Sequence, residues 1–365
     1  MACSSSKLSI ASFSLTHKKD AIKTYRRMAS KTNNKAVQMT YANYLLDVAR
    51  LYSTSSATTS NNNNENDPQQ RKNTNDNKKT RETLLKEAGY WIDRLAKAGH
   101  PEALYIRGKW SWHPEEEECV PENYRGKANP PKAFKCFQNA ARGGHVDAYY
   151  ELARYFKEND KNESAVSHYE KAAKKGHTLA NYKMAKIYLR GQMGKSRNIN
   201  LGLEYLKKAA DASGPNSAAP SFDLFAIYSD QLEWIGIARD SQMSRKNELL
   251  ALHYLQKSVE GGCTKALHHM GRLHEEGSLG KTKDPWLAYS YYMRAAEDGS
   301  EDAMLSLADM YVNGIPGYLM KQHQIAFKWC HRAAIKGLAR AEYTLGYVLF
   351  KYIQRGKDMR TYDFF

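Results

Sequence analysis

A short phrase recurs along this 365-residue chain and limits what it can fold into. A pair of small residues is followed three positions later by glycine, and four positions after that by alanine. The clear copies are Ala140-Ala141, Gly144, Ala148; Ala172-Ala173, Gly176, Ala180; Ala295-Ala296, Gly299, Ala303; and Ala333-Ala334, Gly337, Ala341. Weaker copies read Leu95-Ala96, Gly99, Ala103 and Ser258-Val259, Gly262, Ala266, with a degenerate one at Ala209-Ala210, Ser213. Successive marker positions lie 45, 32, 37, 49, 37 and 38 residues apart. Periods of this size mark stacked helical hairpins, so the chain reads as an all-α solenoid and not as a globular enzyme.

One unit shows why. Ala165, Tyr169, Ala172 and Ala173 fall on one face of a helix, with Glu170, Lys171 and Lys174 on the other. Gly176 is placed to end that helix in a left-handed conformation that costs little only for glycine. His177 and Thr178 turn the chain, and Ala180, Met184, Ala185 and Tyr188 form the stripe of a second helix closed by Gly191. The alanines permit close helix contact, and the larger Tyr, Leu and Met fill the space between pairs. A single hairpin cannot bury such a stripe, so the copies must stack.

At these residues the chain resembles a known repeat. Ala288, Tyr291, Ala295, Ala296, Gly299, Ala303, Leu307, Ala308, Tyr311 and Gly314 follow the pattern of the Sel-one-like repeat, a relative of the tetratricopeptide (TPR) repeat. The likeness covers roughly residues 84–350 and implies a right-handed α-solenoid of about seven Sel-one-like, TPR-like helical hairpins. Ahead of the repeats, Tyr25-Arg26 leads through Lys31-Thr32-Asn33 to Tyr41-Ala42-Asn43-Tyr44-Leu45-Leu46, and Leu84-Leu85-Lys86-Glu87-Ala88 follows a polar gap. This two-part element resembles the start of the fungal chitin synthase activators of the Skt-five type, in which it precedes a block of Sel-one-like repeats. The resemblance implies a non-catalytic regulator that binds and activates or localises a chitin synthase, or a protein that positions it, in cell-wall chitin synthesis and septation. An adaptor in endoplasmic-reticulum protein degradation is the runner-up, although it would call for a signal sequence and a membrane anchor. A repeat-bearing hydrolase or signalling component comes third. Arg107 stands where the repeat wants an apolar residue, as in a divergent capping unit. The last six residues, RTYDFF, place no cysteine four from the end, so no prenylation is expected there.

The expected organisation is a disordered N-terminus over 1–19, a helical element over 20–52, a disordered Asn-rich linker over 53–80, the solenoid over 81–351 and a tail over 352–365. Between 53 and 80 only Ala57 is apolar, too little to repay ordering. Insertions interrupt the repeats near 111–131 and 229–248. The first holds the dense acidic run 115–118, read as a solvated loop in preference to a docking site for a basic partner. The second lies where the motif is most decayed, a candidate kink.

Lys and Arg number 55 against 39 Asp and Glu, a net charge of +16. This excess suits a solvated basic surface, an acidic protein partner or peripheral contact with an anionic membrane surface. No signature of a nucleic-acid-reading fold is present. The five cysteines are scattered, as in a reducing compartment, and no apolar run reaches transmembrane length. The basic, Ser-rich start also suits a mitochondrial presequence. The expected location is cytoplasmic, or peripheral at the plasma membrane or septum.

No catalytic constellation, cofactor motif or metal site is expected. His268, His269 and His274 cluster, but their spacing cannot turn all three toward one ion, and His274 falls at an aromatic core position. The candidate site is a protein-binding face. In tetratricopeptide-like stacks the first helix of each pair lines a concave groove, exposing residues two and six positions after the marker alanine. These are Tyr105/Lys109, Tyr150/Arg154, Tyr182/Lys186, His268/Arg272, Leu305/Asp309 and Tyr343/Tyr347. Four of the six pairs set a ring one turn ahead of a cation, a ladder that suits an extended acidic or aromatic peptide. The same tyrosines also suit packing between repeats, with the cations as ordinary surface. Tyr150/Arg154 and Tyr182/Lys186, in adjacent well-formed repeats, are the leading pairs. Arg154 and Lys186 are expected to tolerate charge reversal without loss of fold.

Overall fold

A computed structural model describes residues 18–58, 68–237 and 246–353 of the chain. Among them the regular structure is sixteen α-helices, three short 3-10 turns and one isolated antiparallel bridge between Ile315 and Leu319. The chain divides between Lys175 and Gly176 into two compact units.

The marker glycines act as the sequence reading requires. Gly99, Gly144, Gly176, Gly262, Gly299 and Gly337 all have φ between +80° and +95°, a region open to glycine and strained for other residues. The marker alanines that follow, Ala103, Ala148, Ala180, Ala266, Ala303 and Ala341, are fully buried.

Unit 1 contains α1 (Lys18–Lys31), α2 (Lys35–Thr58), α3 (Pro68–Lys97), α4 (Pro101–Trp112), α5 (Pro130–Arg142), α6 (Val146–Glu158) and α7 (Asn162–Lys174). The closest packing pairs α2 with α3, α4 with α5 and α6 with α7. The 53–80 linker is helical at both ends, because α2 runs to Thr58 and α3 starts at Pro68. Once the packed parts of these helices have formed, extending them by polar residues is cheap. Residues 59–67 lie outside the described residues, as do 1–17 and 354–365 of the expected tails. The two halves of the N-terminal element meet at Glu87. Arg26 Nε donates to its Oε1 at 2.7 Å and the Tyr41 hydroxyl donates to the same oxygen at 2.7 Å. Behind them Tyr41 packs edge-on against Trp91.

Unit 2 contains α8 (Thr178–Arg190), α9 (Ile199–Asp211), α10 (Ala218–Tyr228), α11 (Glu248–Glu260), α12 (Thr264–Glu276), α13 (Pro285–Glu297), α14 (Glu301–Asn313), α15 (His323–Ile335) and α16 (Ala339–Ile353). Here the closest pairs are α8/α9, α10/α11, α12/α13 and α14/α15. Small residues set their spacing. A Cβ added at Gly271 would lie 2.6 Å from the Tyr292 ring, and one at Gly202 would lie 2.7 Å from Leu189.

A repeated clamp explains how insertions of different length are accommodated. The second helix of a pair starts at an Asn or Asp whose side chain accepts an amide three residues on, as at Asn129, Asn198, Asn247 and Asp284. The amide of that capping residue donates back to the preceding helix or its end. Asn129 reaches Ser111 O at 2.6 Å, Asn247 reaches Tyr228 O at 2.9 Å and Asp284 reaches His274 O at 2.8 Å. Both large insertions therefore leave and return at the same clamp. Lengthening such a loop adds little closure entropy.

Candidate protein-binding face

In unit 1 both expected pairs stand on first helices of their hairpins, and their cations are already engaged. Tyr105 and Lys109 stand on α4, with the Lys109 ammonium 5.9 Å from the Tyr105 ring centre. Tyr150 and Arg154 stand on α6. Tyr150 packs against Tyr169 at 5.6 Å, and the Arg154 guanidinium lies over Trp112 at 5.0 Å. The acidic insertion supplies the counter-charges. Lys109 Nζ lies 2.6 Å from Glu117, and Arg154 Nη2 lies 3.4 Å from Glu116. Two carboxylates of the run expected to be a solvated loop thus sit on the face expected to bind a partner. The loop is fastened by buried Pro114, Cys119 and Val120, and by Arg81 donating to Glu118 O at 2.7 Å.

Arg154 has a second role that its spacing concealed. Its Nη1 lies 3.3 Å from Glu151, whose side chain is 7% exposed. Burial pushes the Glu151 carboxyl up, against the downward pull of Arg154 and Lys109. Charge reversal at Arg154 would therefore set a second carboxylate against a buried one. The expectation that such a change spares the fold does not hold there.

In unit 2 the pairs line open space. Tyr182, Lys186 and Arg190 of α8, Phe222 and Asp223 of α10, the Leu232–Ile235 turn and Lys265 of α12 enclose a cavity of about 1020 Å³. The Lys186 ammonium rests 4.0 Å from the Tyr182 ring centre, and the Tyr182 hydroxyl donates to Asp223 at 2.8 Å. Burial holds the Lys186 ammonium below the usual lysine range, partly offset by Asp223. Phe222, Trp234 and Lys265 also line a second cavity of about 580 Å³, which takes in His268, Arg272, Leu305 and Asp309. His268 bonds Ser306 at 3.2 Å, Arg272 pairs with Glu276 on its own helix at 2.9 Å, and Leu305 is buried. Tyr343 and Tyr347 stand on α16, 83% and 47% exposed, as surface rings.

The recurrence of this geometry has a counterpart in known sequences. The Sel1 repeat profile matches residues 123–145, 146–177, 178–213, 239–263, 264–300 and 301–338. The chain belongs to the Sel1 repeat family. Each full-length match begins with the first helix of a pair, so Tyr150/Arg154, Tyr182/Lys186 and His268/Arg272 occupy equivalent places in three of these repeats. The chain is 32% identical over 222 residues to chitin synthase regulatory factor 3 of Schizosaccharomyces pombe, covering 60% of this chain and 23% of that protein. It is 26% identical over 341 residues to the chitin synthase regulator SKT5 of Saccharomyces cerevisiae, covering 92% of this chain and 46% of that protein. It therefore spans less than half the length of either relative. Among solved structures, a Sel1 repeat protein from Oxalobacter formigenes has the same fold, with a TM-score of 0.54 at 21% identity, covering 91% of this chain and 88% of that one.

The Sel1 matches skip residues 214–238, and that stretch supplies part of the cavity lining that sequence reasoning missed. Phe222, Asp223 and Trp234 all fall within it. The only signals were a lone tryptophan in an insertion and the decayed marker at Ser213. His269 and His274 each pack against an aromatic ring. His269 stacks on Trp234 at 4.2 Å and is pushed down to about 3 by burial, with His268, Arg272 and Lys265 adding to the effect. His274 is buried and stacks on Tyr291 at 5.7 Å. Among the described residues no His, Cys, Asp and Glu cluster could hold a metal ion, and no helix is long and apolar enough to cross a membrane.

Proposed function

We propose that this chain is a non-catalytic regulator of a fungal chitin synthase, binding the synthase, or a protein that positions it, on the faces of its Sel1 repeats. The observation that carries this reading is the SKT5 alignment, which extends over 92% of the chain and so takes in the N-terminal element as well as the repeats. The structure supplies a reason for both parts to travel together. Arg26 and Tyr41 from the first half are hydrogen-bonded to Glu87 from the second, on the helix that leads into the first marker glycine. A scaffold of this kind needs interaction surface in place of an active site, and ring-and-cation positions on successive repeats provide it. The place of action follows as cytoplasmic and peripheral, at the plasma membrane or septum where chitin is made.

Complementation tests the reading. In a fungus lacking its own regulator, expression of this chain should restore cell-wall chitin measured by dye binding. Normal protein levels with no gain in chitin would refute it.

A further inference from the structure

The two units treat the same repeat position differently. The sixth residue after the marker alanine is Lys109 or Arg154 in unit 1, and each is met by a glutamate of the 113–120 loop. In unit 2 the position is held by Lys186, Arg272, Asp309 and Tyr347; Arg272 pairs with Glu276 on its own helix, and Lys186 lines the cavity beside α8 and α10. Among the described residues neither Lys186 nor the nearby Lys265 is paired with a carboxylate within ion-pair distance. Unit 1 thus displays what its own face accepts. The occupant is a short acidic segment, partly a 3-10 turn, anchored by apolar side chains next to the charges.

The unit 2 cavity has matching chemistry, and among the described residues no acidic segment of this kind lies in it. It is lined by four cations, Lys186, Arg190, Arg197 and Lys265, against one carboxylate, Asp223, which already accepts the Tyr182 hydroxyl. Arg190 is committed to holding the wall in place, donating to Ile235 O at 2.6 Å. The apolar part of the lining includes Phe222, Trp234, Ile235 and Ile237, with Trp234 36% exposed. Glu233 of the same turn faces the other side, lining a separate cavity with Lys246 and Glu248.

We propose that the cavity between α8, α10, the Leu232–Ile235 turn and the start of α12 is a docking site for an acidic peptide segment of a partner protein. Its carboxylates sit against Lys186 and Lys265, and an apolar side chain packs on Phe222 and Trp234. An aromatic or aliphatic anchor beside charge-assisted contacts gives both affinity and register. The site rests on the regulator reading only for which protein carries the peptide.

The test uses the full chain and a fluorescein-labelled peptide, WHPEEEECV, copied from residues 112–120 with Cys119→Ser. Anisotropy should show saturable binding that weakens as salt rises, since the contacts are largely electrostatic. The same peptide with glutamine at all four glutamates should bind at least tenfold more weakly. Lys265→Glu, at an exposed position, should weaken binding about tenfold, and adding Lys186→Glu should abolish it, while Lys174→Glu at an exposed site of unit 1 changes nothing. Equal binding of the glutamine peptide, or wild-type binding by the Lys265→Glu chain, overturns the proposal. So does concentration-dependent dimerisation of the unmodified chain that Lys265→Glu abolishes, which would make the occupant a second copy. Capture of a chitin synthase from fungal membranes separates the two readings. Capture that survives the double variant overturns this cavity as the synthase contact and leaves the regulator reading standing. Peptide binding with capture of neither a synthase nor a protein that co-purifies with one upholds the site and overturns the regulator reading.

Discussion

Replacing Arg154 by methionine removes the guanidinium that holds the acidic loop and a buried carboxylate together. Methionine keeps an apolar stem to pack on Trp112. The main loss is the contact with Glu151 at 3.3 Å, where Glu151 is 7% exposed and Arg154 30% exposed. Breaking a fully buried pair costs about 3–5 kcal/mol, and the exposure of Arg154 brings this to about 2–3 kcal/mol. The pair with Glu116, itself 52% exposed, adds at most about 0.5 kcal/mol. Glu151→Gln in the same chain should recover most of the loss, because the stranded charge is then gone. The pH dependence has a definite sign. Burial holds the folded Glu151 carboxyl above its ordinary range, and losing Arg154 drives it higher. The unfolded chain then ionises first, so stability present below about pH 4.3 is lost as pH rises through the folded value. The gap between parent and Arg154→Met should therefore be smaller at pH 5 than at pH 8. Urea unfolding followed by tryptophan fluorescence, with Trp110 and Trp112 reporting locally, measures it. A gap under about 0.5 kcal/mol at pH 8, or no recovery with Glu151→Gln, would show that this contact does not hold the face together.

Two further changes test the fold. Gly299→Val places a β-branched residue at φ +95° with its Cβ 2.9 Å from Lys336 Nζ, and Ala295→Leu overfills a fully buried contact, the latter by about 1–3 kcal/mol. Both should lower the melting temperature by several degrees, and melting within a degree of the parent would show the repeat register to be misplaced. Glu87→Gln weakens the partner shared by Arg26 and Tyr41 and should destabilise the N-terminal element by about 1–2 kcal/mol. Faster amide exchange over α1 and the start of α2 is the expected signature, and unchanged exchange there would mean that Glu87 does not join the two halves.

The repeat was legible because its spacing is set by backbone requirements. A buried alanine and a left-handed glycine recur wherever two helices must approach and turn, and the φ values at Gly144, Gly176 and Gly299 carry that requirement directly. The face was legible only along each helix. Positions two and six after the alanine share one side of a turn, so Lys186 over Tyr182 and Lys109 over Tyr105 follow from spacing alone. What reaches that side from elsewhere does not follow. Glu116 lies 38 residues from Arg154 in sequence, and Trp112 takes the guanidinium that spacing assigned to Tyr150. The cavity lining was least legible, because Phe222, Asp223 and Trp234 lie where the repeat pattern has decayed. Composition alone also missed the helical ends of the 53–80 segment, since helix can extend outward from packed residues without any apolar stripe of its own.

The most direct measurement is capture of partners by the purified chain from detergent-solubilised fungal membranes, with the bound proteins read by mass spectrometry. A regulator of chitin synthesis predicts enrichment of a chitin synthase, or of a protein that co-purifies with one, over a column bearing an unrelated Sel1 repeat protein. Recovery of endoplasmic-reticulum degradation components without any chitin synthase would contradict it.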